Sequence, residues 1–253
     1  MMQLLAIWRH PVKSLQGEPL ESAVVDTDGL RGDRCWGIRD EATGKILTGR
    51  REPRLLEAAA SLGPDGQPEI GLPNGTILRG EGLATNAALT DWLGQPVTLA
   101  AAISAPGGRA EYFADATDDR STAIEWTMPA GRFVDGLPLL LLTTASIRAG
   151  AALHPDGDWD VRRFRPNLLI DVATDGWVED GWCGRTVRVG AVELDPRQPC
   201  VRCTMVTRPQ PGLERDVDIY RTVARHHDGT LGVWTAVRTP GTIRTGDPLQ
   251  IGP

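Results

Sequence analysis

Glycine and proline punctuate this chain from end to end, 29 and 19 of its 253 residues. Proline withholds a backbone donor and glycine weakens regular segments, so the runs between them, about four to eight residues long, leave little room for ordinary helices. Strands are expected over residues 3–8, 21–26, 35–40, 46–48, 68–72, 76–78, 168–171, 186–189 and 192–194, and again over 201–207, 231–237, 241–244 and 249–251. Turn signals such as Thr27-Asp28-Gly29 and Pro73-Asn74-Gly75 join them, which suits hairpins and sheets rolled or closed into barrels. Three helices are expected. One covers 84–93 with Thr85 or Asn86 as N-cap and Gly94 beyond its end, one covers 144–153, and a marginal one covers 218–224. The fold class is therefore mainly β with some α, in two domains.

With 41% hydrophobic and 24% charged residues, the chain has the composition of a globular protein able to build its own core. No apolar run approaches the ~20 residues that span a bilayer, so no membrane association is expected. The N-terminal stretch lacks a basic region and an apolar segment of signal length. The expected location is cytoplasmic, with Cys35, Cys183, Cys200 and Cys203 as reduced thiols. A net charge of −6 argues against nucleic acid as a partner. Only Lys13 and Lys45 are lysines among 27 basic residues, leaving 25 arginines, the side chain suited to bidentate contacts with phosphate and carboxylate. Large apolar residues thin out over 104–120, placing a linker at 101–120 between domains at 1–100 and 121–253.

Three clusters carry chemistry. His10-Pro11-Val12-Lys13-Ser14, followed by Arg31-Gly32-Asp33-Arg34, offers an ammonium, a hydroxyl and backbone N–H groups to one anion, or is a solvated turn. Arg162-Arg163-Phe164-Arg165-Pro166-Asn167 leads into an apolar strand, its arginines either lining a site or paired with Asp156, Asp158 and Asp160. Cys200-Val201-Arg202-Cys203 has a two-residue gap that suggests zinc, a thioredoxin-like dithiol, or a single thiolate. Zinc lacks a second ligand pair here, and the dithiol lacks its βαβ setting. A thiolate flanked by Arg197, Arg202 and Arg208 is expected to have a lowered pKa and to serve in metal ligation or nucleophilic attack.

Taken in order, these clusters together with Arg50-Arg51-Glu52-Pro53-Arg54-Leu55 and Pro240-Gly241-Thr242-Ile243-Arg244-Thr245-Gly246-Asp247-Pro248 resemble the MOSC family. The likeness is to members that carry the MOSC N-terminal β-barrel and reduce amidoximes and other N-hydroxylated bases, in mitochondria or in bacterial detoxification. The resemblance implies a molybdenum cofactor, molybdenum held by molybdopterin, with Cys203 as the catalytic and metal-binding thiolate. It implies Lys13, Ser14 and Arg34 at the cofactor's phosphate and pterin, Arg165 and Asn167 closing from the second domain, and Arg202 beside the metal. The implied activity is reduction of small N-hydroxylated or N-oxide substrates with electrons from a separate flavin/iron–sulfur or haem protein. The alternative is a sulfur-carrier or cofactor-handling protein with a persulfide on Cys203. Two departures stand out: Val201 replaces a small hydroxyl residue, and Thr207-Arg208-Pro209 stands where relatives have Thr-x-Asp-Pro.

Overall fold

A computed structural model describes residues 2–104, 108–113, 115, 118 and 121–253. Its largest element is an eight-stranded sheet. Across it the strands run Leu249–Ile251, Val187–Val189, Val192–Val201, Thr230–Thr239, Leu139–Thr143, Leu168–Asp171, Gln3–Arg9 and Glu18–Leu20. The central pair, Leu139–Thr143 and Leu168–Asp171, is parallel, with Leu141 opposite Leu168. A parallel pair needs a crossover, supplied by helix α1 at Thr144–Leu153 and the arginine-rich segment after it. Burial on both faces explains why Leu139–Leu142 reads as an unbroken apolar run.

The sheet is rolled rather than closed. Its edge strands do not pair as a ladder, so of the rolled and closed arrangements expected above it takes the rolled one. Backbone N–H groups of Leu4 and Leu249 donate to Asp247 and Met2 carbonyls at 2.8 and 3.0 Å, and an isolated bridge joins Gln3 to Pro248. These few bonds curl the sheet around Leu4, Ile7, Leu139, Leu168, Val187 and Val233, all essentially without solvent contact. Three register shifts and two prolines, Pro196 and Pro199, bend the long Val192–Val201 strand where a straight one would diverge.

N-terminal residues interleave with this sheet. Gln3–Arg9 lies antiparallel to Leu168–Asp171, and Ser22–Asp26 pairs with Gly241–Arg244. Beyond them, Trp36–Asp40 pairs with Val97–Ala101, and Ala59–Leu62, Pro68–Gly71 and Ile77–Arg79 form a meander. These pack with helix Leu83–Leu93 over a second core that includes Val12, Leu15, Leu55, Ile70 and Leu89. That helix starts on Gly82 without a side-chain cap, so neither Thr85 nor Asn86 caps it, but it ends as expected on left-handed Gly94. The helix expected over 218–224 extends over Val217–His226, with Asp216 accepting from the Asp218 N–H.

Other expectations are revised. In place of the strand expected over 46–48, Ile46 alone makes isolated bridges, to Arg39 and Ala110. Residues 201–207 leave the sheet after Val201 because the partner strand begins at Thr230, directly opposite it. The chain turns inward there, the Arg202 N–H donating to the Gly229 carbonyl, and Thr204–Thr207 forms one tight helical turn. Of the expected linker, residues 105–107, 114, 116, 117, 119 and 120 lie outside the described residues. Its described part carries strand Arg109–Phe113, in a hairpin with Ala123–Thr127. No helix among the described residues is long and apolar enough to cross a membrane.

Candidate functional site

The turn after the first strand delivers Lys13 and Ser14. The Lys13 N–H donates to the Trp36 carbonyl at 2.8 Å, and Ser14 holds a left-handed φ of 69°. The Ser14 hydroxyl accepts from the Gly49 N–H at 2.9 Å. Lys13 is buried. Its ammonium donates to the Phe133 carbonyl at 3.0 Å and pairs with Asp135. Burial draws the Lys13 pKa down against the opposing pull of Asp135.

Arg34 enters from the next turn, also left-handed at φ 50°. Its guanidinium pairs with fully buried Asp33 and donates to Asn167 Oδ1 at 3.1 Å. Asn167, at the mouth of the parallel strand, also accepts from the Leu140 N–H at 3.1 Å and donates to the Trp8 carbonyl at 3.2 Å. Arg165, left-handed at φ 52°, donates to the Leu15 carbonyl at 2.6 Å. Burial and the neighbouring Arg34 pull its pKa down to about 9. Three of the four non-glycine residues with positive φ among the described residues thus sit here, the fourth being Asp228. Such backbone persists only where the surroundings hold it.

The Cys200–Cys203 segment closes the opposite side. Arg202 donates to Cys200 Sγ at 3.2 Å and to the Phe164 carbonyl at 2.6 Å, with its guanidinium over the Phe164 ring. Arg202 thus bonds to Cys200, and Arg197 turns outward to Asp195 at 2.6 Å. The expected lowering of the Cys203 pKa is reversed: burial pushes the thiol up, outweighing a backbone donor and the fields of Arg50 and Arg202. All four cysteines are free thiols.

Lys13, Ser14, Arg34, Arg165, Asn167, Arg202 and Cys203 all line one cavity of about 150 Å³. The other arginines of the clusters are engaged by protein groups, although Arg163 also reaches the cavity lining. Arg31 pairs with Asp26 and Arg162 with Asp160, while Arg163 donates to the Asp158 and Glu214 carbonyls. The structure adds Thr48, Arg50, Tyr112 and Asp135 to the lining. Arg50 lies over Phe113 at 4.7 Å, and the Tyr112 hydroxyl donates to Asp135. Lys13 and the Tyr112 hydroxyl hold the Asp135 carboxyl below its ordinary range. Arg50 stood within a recognised motif without a role. Tyr112 and Asp135 carried no local signal, because a hairpin and a loop bring them in from the stretch around the expected linker.

Six cations, Lys13, Arg34, Arg50, Arg163, Arg165 and Arg202, line this cavity, against the single carboxylate of Asp135. Such an excess in a partly enclosed space favours a multivalent anion. Among the described residues no group of three His, Cys, Asp or Glu side chains converges as a metal cluster.

Residues 130–250 match the model of the MOSC domain, and residues 1–100 that of the MOSC N-terminal beta barrel domain. Mitochondrial amidoxime-reducing component 1 of Mus musculus is 26% identical over 97% of this chain and 81% of its own length. Molybdenum cofactor sulfurase of Drosophila grimshawi is 26% identical over 98% of this chain but only 34% of its own length. Among solved structures, the YUAD protein from Bacillus subtilis aligns over 99% of this chain and 96% of its own, with 13% identity and a TM-score of 0.49.

Proposed function

We propose, for a chain that belongs to the MOSC family through both halves of its length, a molybdenum-cofactor-dependent reduction of N-hydroxylated or N-oxide compounds. Electrons come from a separate flavin/iron–sulfur or haem protein. The observation that carries this reading is the meeting of Lys13, Ser14, Arg34, Arg165, Asn167, Arg202 and Cys203 in one cavity with excess positive charge.

The donor set fits a pterin dithiolene with a terminal phosphate. Arg202 Nε is buried without a hydrogen-bond partner among the described residues, as expected of a donor aimed at a ligand. Lys13, Ser14 and Arg34 come from the N-terminal segment, Arg165 and Asn167 from a later segment that bonds to it, and a soft thiol lines the same cavity. When bound, the cofactor supplies two-electron redox chemistry at a thiophilic metal.

The chain's own residues supply the rest. Lys13, Arg34 and Arg165 neutralise phosphate charge, and hydrogen bonds fix them beforehand, Lys13 to the Phe133 carbonyl, Arg34 to Asn167 and the Arg165 carbonyl, and Arg165 to the Leu15 carbonyl. Cys203 presents the ligand sulfur. Reducing N–OH to N–H consumes two electrons and two protons, breaks the N–O bond and releases water. Asp135, its side chain 55% exposed and held ionised, is an acceptor for the substrate's N–H or O–H group. Val201, 60% exposed at the lip, offers apolar surface.

The likeness to a molybdenum cofactor sulfurase over nearly the whole chain favours a second reading, a sulfur-handling role in which Cys203 carries a persulfide. Paired variants test the first reading. Cys203→Ser should abolish both molybdenum retention and reduction of an N-hydroxylated test substrate, whereas Cys200→Ser should keep a substantial part of both. Equal loss of activity with metal retained would point to a dithiol instead.

A further inference from the structure

Behind Arg165 lies a second cavity of about 20 Å³, lined by Trp8, His10, Gln16, Gly17, Arg165, Pro166 and others. Two buried polar atoms of its lining residues have no hydrogen-bond partner among the described residues: Trp8 Nε1, a donor, and His10 Nδ1. His10 is 3% exposed. Its Nε2 lies 3.4 Å from the Pro166 carbonyl, a contact in which nitrogen must donate. In the neutral ring the proton is then on Nε2, and Nδ1 is left as an acceptor. Burial, together with Arg165 and Arg34, holds the ring's pKa well below its ordinary value and so keeps it neutral. The cavity thus presents one donor and one acceptor, and its volume admits one water and little more. Gly17 preserves that space: a Cβ there would lie 2.5 Å from His10 Nδ1 and 2.3 Å from the Arg9 carbonyl.

His10 is also a joint of the anion site. Its N–H donates to Asp33 Oδ1 at 2.7 Å, and its carbonyl accepts from the Arg34 N–H at 2.7 Å. Its ring abuts the carbonyl of Pro166, the residue that follows left-handed Arg165. One residue thereby touches the supports of both arginines.

We propose that this cavity holds one ordered water, accepting from Trp8 Nε1–H and donating to His10 Nδ1, and that His10 so fixed is a positioning residue for Arg34 and Arg165. The positioning role rests on the anion site of the proposed function; the water does not.

Two measurements test it. In a crystal structure of the purified protein, a water should lie within hydrogen-bond distance of both Trp8 Nε1 and His10 Nδ1, and a dry cavity overturns that half. For the other half, inorganic pyrophosphate is titrated calorimetrically into full-length, cofactor-free protein and its variants, at a temperature where thermal melts show all to be folded. His10→Phe should weaken binding about tenfold, while His10→Gln, able to donate to Pro166 and accept from the water, should stay within about twofold of the parent. Unchanged affinity in His10→Phe, or equal loss in both variants, overturns the positioning role. If the parent chain itself does not bind pyrophosphate, the anion site and the positioning role fall together, and the water is still decided by the density.

Discussion

At the residue scale, the two basic groups of the first cluster are held differently, and this orders their expected effects. Lys13 gives its ammonium to Asp135 and to a backbone carbonyl, whereas Arg34 is locked to Asp33 and Asn167 across the cavity floor. If both clamp the cofactor phosphate, each alanine variant loses a charge-assisted contact worth about 1.5–3 kcal/mol, or roughly 10- to 150-fold in affinity. Arg34→Ala should lower molybdenum content more than Lys13→Ala, because it also leaves buried Asp33 without its partner. Metal per chain with a thermal melt checks this, and full occupancy in both folded variants would reject the clamp. Much of this site is legible in sequence because Lys13, Arg34, Arg165 and Cys203 sit in compact motifs. Asp135 and Tyr112 are not legible, because their relation to Lys13 is created by tertiary packing across more than ninety residues of chain. The direction of the Cys203 pKa is not legible for a related reason: neighbouring arginines in sequence announce a field, but burial is decided by the fold.

At the scale of elements, helix α1 shows how the framework beneath the site is fixed. Thr143 caps it by accepting from the Ser146 N–H at 3.1 Å, and both hydroxyls donate to buried Glu179 at 2.6 Å. Burial raises the Glu179 pKa despite these donors. The native state therefore holds a proton that the unfolded chain, with a carboxyl near 4.3, has already released. Stability falls as pH rises from that value through the raised native pKa. Glu179→Gln should remove this slope, so chemical denaturation of variant and parent should show the variant gaining on the parent as pH rises through the window. Parallel pH profiles would contradict it. The crossover helix itself is readable from an apolar strand followed by a Thr cap, and the observed span, Thr144–Leu153, is the expected one. The end of the cysteine strand is not readable, since Thr-Met-Val-Thr is β-prone and turns only because its neighbour in the sheet stops at Thr230.

For the whole molecule, the interleaving of the chain ends matters most. Gln3–Arg9 covers the edge of Leu168–Asp171, and Ser22–Asp26 covers Gly241–Arg244. A fragment of residues 121–253 would bare both edges and should aggregate or remain unfolded, as judged by solubility and circular dichroism, and a well-folded monomeric fragment would contradict this arrangement. Nothing in the local sequence announces such pairing, because strands distant in the chain are matched by shape and register rather than by turn chemistry. The same interleaving carries Lys13 and Arg34 to the cavity wall facing Cys203, so the anion site and the thiol exist only in the assembled chain. The most direct test of the account is the metal and pterin content of the full-length protein purified from a host that makes molybdenum cofactor. Close to one molybdenum and one pterin per chain, with zinc far below either, is the predicted result. Stoichiometric zinc without pterin, or a chain devoid of both molybdenum and pterin, would contradict it.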